Sequence, residues 1–322
     1  MRNKGPAFIP SKQLARDFPP TRRYLIGVSG VRDSVALLHS LVDLGYTKLI
    51  VCHLDHQLRG RSAKADAKFA EKLAANYDLD FEHGSTNVRA LAAKKKMSIE
   101  AAGRDARYRF FAKIAKRRRC REIFLAHHAD DLVETFLINL FRGAGSSGLA
   151  GMREIATRRI DDVDLTIVRP LLGVWRTKID QYLHEHRHKF REDISNLDLA
   201  PLRNRIRHRI IPYLEKTLGR NIRHSIWRTA MIAAEEEAWV ESITTDVGPK
   251  DVDLVVEKLR VLPVALQRRA ILKWLREQNI TGVGYESIER VRSLLDPASR
   301  IAKINLPQDR HARRRAKKIF IE

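Results

Sequence analysis

The stretch Tyr24-Leu25-Ile26-Gly27-Val28-Ser29-Gly30-Val31-Arg32-Asp33-Ser34 joins a short apolar run to a helical pattern, Ser34-Val-Ala-Leu-Leu-His-Ser-Leu-Val. A strand that turns on small residues into a helix N-terminus makes an anion site, because unpaired backbone N–H groups and the positive end of the helix dipole converge there. A nucleotide phosphate would sit in this turn. It is not a Walker A loop, since no lysine follows the glycine, and it lacks G-x-G-x-x-G. An ordinary strand-to-helix turn capped by Asp33 or Ser34 accounts for the same residues without a ligand.

Working outward, the first half alternates short apolar runs with helical spacing. Strands are expected at Tyr24–Val28, Lys48–Leu54 and Glu122–His127, with a weaker one near Asp80–His83. Helical patterns lie between and after them at Ser34–Leu44, Ala63–Tyr77, Glu100–Arg118 and Ala129–Arg142. This alternation predicts an α/β fold with a doubly wound parallel sheet, whose ligands bind at the carboxyl ends of the strands. Ser29–Ser34, His53–Arg59 and Ala126–Asp131 all fall at that edge. Arg158 to Val168 reads as a small hairpin after the glycine-rich Gly143–Gly151. The remainder reads as helical up to a strongly basic tail, with Gly248-Pro249 as a boundary. The expected divisions are a leader at 1–20, a nucleotide-binding domain at 21–200, a helical region at 201–247 and a small basic domain at 248–322.

The 322 residues include 61 Lys and Arg against 39 Asp and Glu, a formal net charge of +22. Such an excess points to a polyanionic partner, and nucleic acid suits it better than a membrane, since no apolar run approaches the ~20 residues that a spanning helix needs. The leader has no continuous apolar core and does not read as a secretory signal. Cys52 and Cys120 fall in strand-like runs, too few for a disulfide framework or a four-ligand metal site, which fits a cytoplasmic protein.

Three constellations carry chemistry. His53-Leu-Asp55-His56-Gln-Leu-Arg59 follows the second strand, where a doubly wound site meets the adenosine; a metal role lacks a third clustered ligand. In His127-His128-Ala-Asp130-Asp131-Leu-Val-Glu134, carboxylates at i, i+3 and i, i+4 share a helix face and suit Mg²⁺ or a cationic substrate, although acids at a helix start also serve as caps. A dinuclear site built from these histidines and carboxylates is a further option. Arg104 and Arg107 sit at i, i+3, spaced to clamp phosphate. Two basic blocks, around Arg203, Arg205 and Arg207 and around Arg313, Arg314 and Arg315, have RNA phosphate as their natural target.

Ser29–Ser34 resembles S-G-G-x-D-S, the pyrophosphate-binding (PP) loop of ATP pyrophosphatases with an adenine nucleotide alpha hydrolase-like fold. Val31 stands where that pattern has its second glycine, a residue that tolerates positive φ and close phosphate approach. Together with His53–Arg59, Glu100–Tyr108, Leu125–Glu134, Arg169–Leu172, Asp193–Asn196 and Arg203–His208, in this order, the loop is similar to the tRNA(Ile)-lysidine synthetase family. The resemblance implies a cytoplasmic ligase that uses ATP and Mg²⁺ to adenylate the wobble cytidine of tRNA(Ile) with a CAU anticodon. Free L-lysine then displaces AMP to give lysidine. It implies that Ser29, Gly30, Val31, Arg32, Asp33 and Ser34 bind ATP, joined by His53, Asp55 and His127, with Asp33 reaching Mg²⁺. It implies catalytic roles for Asp33, Arg107, Asp131 and Glu134, and tRNA contacts by Arg104, Arg203, Arg205, Arg207 and Arg313 to Arg315. Homodimers occur within the family, but no residue here compels one. The rivals are a tRNA thiolase with the same loop and a tRNA-binding protein that Val31 has deprived of turnover.

Overall fold

The computed structural model describes residues 9–58, 60–192, 201–244, 253–299 and 301–322. Arg59, the segment Asp193–Asn196 and Gly248-Pro249 lie outside these. The first part of the chain runs α1 (Ser11–Asp17), β1 (Tyr24–Gly27), α2 (Arg32–Asp43), β2 (Leu49–Asp55), α3 (Arg61–Ala75), β3 (Asp80–Ser85), α4 (Val88–Lys95), α5 (Ile99–Arg118), β4 (Glu122–Phe124) and α6 (Ala129–Phe141). It continues with α7 (Ser146–Leu149), β5 (Ile155–Ile160), β6 (Val163–Val168), α8 (Arg176–Glu185), α9 (Leu202–Arg205), a π-turn (Ile206–Ile210), α10 (Ile211–Leu218) and α11 (Arg223–Thr244).

Six strands form one sheet in the order β3-β2-β1-β4-β6-β5. All neighbours are parallel except the β5–β6 hairpin. The apolar strands hide a period of two. Tyr24, Ile26 and Val28 pack on one side with α2, α3 and α8, through Val35, Leu38, Ala70 and Ile179. Leu25, Ile50, Ile123 and Leu165 pack on the other with Tyr108, Phe111 and Ile114 of α5. Helices therefore cover both faces, as a parallel sheet with two apolar sides requires. The hairpin extends this sheet, because β6 pairs with β4 in register Ile123↔Ile167.

Local signals set several boundaries. Asn87 caps α4 by accepting from Ala90 N at 2.9 Å, and Ser98 caps α5 by accepting from Ala101 N at 3.2 Å. α4 is not among the helices expected from periodicity. In the structure Lys94 and Lys95 form its last turn, where cations offset the helix dipole.

The chain divides into two compact units. One comprises Met1–Ile138 with Gly151–Ala230, and the other Asn139–Ala150 with Met231–Glu322. The second unit adds β7 (Leu254–Val255), α12 (Val256–Arg260), α13 (Val264–Glu277), α14 (Tyr285–Ser293), β8 (Lys303–Asn305), β9 (His311–Arg315) and β10 (Lys318–Ile321). These strands form an antiparallel sheet in the order β7-β10-β9-β8. Ala312, Ile319 and Ile304 face a core with Ile271, Trp274 and Leu275 of α13. The segment read as a helix from Leu254 thus opens as a strand, and the basic tail contains a sheet. No helix among the described residues is long and apolar enough to cross a membrane.

Candidate nucleotide and substrate site

The turn after β1 closes upon itself. Ser34 Oγ donates to the Val31 carbonyl at 2.8 Å, and Ser29 N donates to Ser34 Oγ at 3.2 Å. Neither Asp33 nor Ser34 is the cap; Val31 holds that position, with no side-chain hydrogen bond to the helix. Ser34 N donates to the Val31 carbonyl at 3.1 Å, which leaves the N–H groups of Arg32 and Asp33 to an outside acceptor. Gly30 takes φ +87°, the left-handed region that favours glycine. Val31 takes φ −81° and ψ 157°, an extended conformation natural to a β-branched residue. Valine therefore introduces no backbone strain at the loop.

Around this turn, Arg191 N donates to the Gly30 carbonyl at 2.9 Å, and Arg191 Nε donates to Asp66 of α3 at 2.7 Å. The Arg32 side chain pairs with Asp180 at 2.7 Å, so Arg32 offers the loop its backbone only. On the next strand, His53 Nδ1 donates to the Val28 carbonyl at 2.8 Å, which fixes the tautomer and leaves Nε2 as an acceptor. Asp55 accepts from Gln57 N at 2.7 Å and shapes the turn after β2.

The two histidines before α6 behave oppositely. His127 is pushed down to about 3 by burial, with Arg169 and Arg107 adding like charge against the pull of Asp131. Its Nδ1 accepts from Arg169 Nε at 3.2 Å. For His128, burial is outweighed by Asp131, Asp130 and Asp33, which push it up to about 9. The charged ring lies 3.8 Å from Asp33 Oδ2 and 3.6 Å from Asp131 Oδ2. Burial raises Asp33 above the ordinary carboxylate range against the pull of His128, and Asp33 Oδ1 is buried without a hydrogen-bond partner. That oxygen keeps its full capacity to accept from a cation or a hydrogen-bond donor.

The carboxylates of α6 divide in function. Asp130 accepts from Arg176 N at 3.0 Å and Arg223 Nη1 at 3.1 Å, tying three helices together. Asp131 accepts from His128 N at 3.2 Å and from Arg207 Nη2 at 3.3 Å. Against the cost of burial, His128, His127 and the arginines hold it below the usual carboxylate range. Glu134 takes a bidentate contact from Arg207, at 2.5 and 3.0 Å, and Arg203 Nη2 donates to Thr135 Oγ1 at 2.8 Å. Among the described residues no group of three or more His, Cys, Asp or Glu side chains is arranged to hold a metal ion, so the dinuclear option is not met.

Ser29 to Ser34, His53, His127, Asp131 and Glu134 thus converge at one sheet edge. Several residues expected at RNA are engaged elsewhere. Arg207 lies inside the carboxylate cluster, and Arg314 donates to the carbonyls of Leu294, Asp296 and Ser299 at 2.7–2.8 Å, closing the end of α14. Arg313 pairs with Glu322 at 3.2 Å, while Arg205 and Arg315 are exposed. Arg104 lies over the Tyr108 ring. Arg107 is exposed and makes no ion pair among the described residues. Sequence reading placed Arg169 in a motif without giving it a role, and missed Asp66 and Arg191. Arg169 had a usable signal, since it directly follows β6 at the same ligand-binding edge. Asp66 and Arg191 had none, being brought together only by tertiary packing. Cys52 and Cys120 are buried, and burial pushes both thiols up, which removes the reactive sulfur that a thiolase needs.

Comparison with known proteins agrees with this geometry. Residues 9–214 match the model of the PP-loop domain, and residues 254–320 match that of the TilS substrate binding domain. A tRNA(Ile)-lysidine synthase of Geobacter sulfurreducens is 36% identical over 304 residues, covering 91% of this chain and 63% of that protein. The one of Thermosynechococcus vestitus is 32% identical, covering 92% of this chain and 85% of that protein. The first relatives are longer, and the chain spans 62–65% of their length. Among solved structures, a U34-tRNA thiolase of Methanococcus maripaludis shares the fold, with a TM-score of 0.54 at 16% identity over 70% of this chain and 77% of that one. On the match across residues 9–214 and the extended likeness to these synthases, the chain belongs to the PP-loop tRNA(Ile)-lysidine synthase family.

Proposed function

We propose that this protein ligates free L-lysine to the wobble cytidine of an isoleucine tRNA with a CAU anticodon, consuming ATP and releasing AMP and pyrophosphate. The observation that carries the reading is the meeting, at one sheet edge, of an unsatisfied phosphate-loop aspartate with a buried cluster of acids and guanidiniums. ATP phosphates rest on the N–H groups of Gly30 to Asp33 at the start of α2. His53 and Asp55 lie on the adenosine side, and His127, held neutral, acts as a hydrogen-bonding wall. Asp33 fits Mg²⁺ through its orphaned oxygen. Asp33 would hold the ion from the loop side, and hard oxygen ligands of this kind suit Mg²⁺. When bound, it neutralises charge on the departing pyrophosphate.

The cytidine carbonyl oxygen attacks the α-phosphorus, the bond to pyrophosphate breaks, and the base carbon becomes electrophilic because its oxygen now leaves as AMP. The lysine side-chain amine attacks that carbon and gives up its proton as the C–N bond forms. A pocket with Asp131 and Glu134 set against Arg203 and Arg207 has both signs of charge. It suits a zwitterion, with acids for the ammonium groups and guanidinium for the carboxylate. Arg107, exposed beside it, faces the phosphorylated base.

The test is pyrophosphate release and lysine incorporation with ATP, lysine and the transcript. Release that requires tRNA, with lysine incorporated, is the expected result. Asp131→Ala should lower incorporation at least about a hundredfold. Tight tRNA binding without any release would favour the RNA-binding reading, and unchanged incorporation in Asp131→Ala would overturn the assignment of the lysine pocket.

A further inference from the structure

The basic residues of α5 and the β5–β6 hairpin fall into two sets. In one, every charge has a carboxylate. Arg109 pairs with Asp105 and Asp161, Lys116 with Asp162, Arg117 with Glu82, Arg118 with Asp80 and Glu82, and Arg159 with Asp164. In the other set, Arg104, Arg107, Lys113 and Arg158 are all exposed and have no acidic partner among the described residues. The split follows the strand's alternation. Arg159 faces Asp164 across the hairpin, whereas Arg158 pairs with Leu165 and points to the side where α5 packs.

There the guanidinium of Arg158 stands 4.5 Å from the centroid of the Tyr108 ring, and that of Arg104 stands 5.6 Å from the same ring. Tyr108 is itself buried, 3% exposed, with its ring fixed in the core against Phe111. A fixed aromatic ring orients two flexible cations at small cost, and planar guanidiniums so held present their N–H forks outward. Arg107, between them in sequence, feels Arg104 and Arg203 as like charges and is itself felt at His127. The patch therefore borders the candidate site. Repeated like charge without compensation is disfavoured unless an anion completes it, and elsewhere on the same helix acids supply that compensation.

We propose that Arg158 and Arg104, oriented by the Tyr108 ring, form a clamp for the phosphate backbone of an RNA strand entering the site, with the β5–β6 hairpin as an RNA-contacting element. Single-stranded RNA beside the modified base supplies the regularly spaced phosphates that forked guanidiniums grip, whatever the sequence. The inference rests on the tRNA reading above and deepens it by naming the surface that holds the strand.

The test measures tRNA affinity of the full chain against salt concentration, separately from lysidine formation. Arg104→Gln with Arg158→Gln should weaken binding about tenfold or more and lower the magnitude of the log–log salt slope by about 2. Arg159→Gln, on the other face, should leave affinity and slope unchanged. ATP affinity measured without tRNA should be the same in all three proteins. A double variant with wild-type tRNA affinity and slope would overturn the clamp while leaving the ligase reading intact. Patch-dependent binding without lysidine formation would sustain the clamp and sink the ligase reading. Equal losses in Arg159→Gln would show a general effect of charge and also overturn it.

Discussion

Val31 shows how a residue identity can mislead when the backbone is unknown. A β-branched side chain resists positive φ, so its presence in a phosphate loop suggests a damaged site. The loop places its one left-handed residue a position earlier, at Gly30, where an added Cβ would also stand 3.4 Å from the Phe69 ring. Val31 is extended and bridges to Arg191, a segment remote in sequence. Glycine there would gain no conformation that the loop uses, and it would add entropy to the unfolded chain. Val31→Gly should therefore lower stability by about 0.5–1 kcal/mol and change the KM for ATP by less than about twofold. Thermal melts and initial rates read both quantities. A tenfold gain in ATP turnover would show that the valine side chain obstructs the phosphates after all.

At the scale of elements, α6 and the π-turn after α9 are best understood together. Spacing showed that Asp131 and Glu134 share a face, and that Arg203 and Arg207 share one, but it could not say that the two faces meet. The arginines consequently read as RNA contacts. A π-turn, Ile206–Ile210, carries Arg207 into the acids. Such single-turn π segments recur at functional sites because they re-aim side chains. Glu134 is 1% exposed and Arg207 14%, so each ion depends on the other for solvation. Removing one partner should be costly and removing both much less so. Glu134→Gln is expected to destabilise the protein by about 3 kcal/mol, and adding Arg207→Met should restore most of that loss. Lysine incorporation should stay abolished in both. Recovery of activity along with stability in the double variant would show that the pair is only structural. The same contrast of pattern and partner explains His127 and His128, adjacent and identical in sequence yet driven apart by burial beside Arg169 on one side and three aspartates on the other.

For the molecule as a whole, the sequence disclosed the parallel sheet and its ligand edge because strand, small polar turn and helix repeat three times in register with the fold's own rule. It disclosed the helices of the second unit, α12 to α14, but not its sheet. In β9, Ala312-Arg313-Arg314-Arg315, three successive arginines mask a period of two in which Ala312 turns inward and Arg314 caps carbonyls at the end of α14. Charge counting treats these side chains alike, whereas the fold gives them different tasks. The +22 excess does not say which cations meet RNA, because an internal ion pair uses one acid and one base and leaves the net charge unchanged; the unpaired cations have to be located one by one. The second unit has its own core, centred on Trp274 at 1% exposure. Trp274→Ala should remove about 3–5 kcal/mol from that unit. If the unit contributes to tRNA binding, its loss should weaken tRNA affinity while ATP affinity stays within about twofold, because the phosphate loop is built wholly from the first unit. Calorimetry should show an early transition assigned to the second unit, alongside filter binding for the RNA and equilibrium dialysis for ATP. Parallel loss of ATP binding would mean that the units fold as one, and tRNA affinity that survives melting of the second unit would confine RNA recognition to the first.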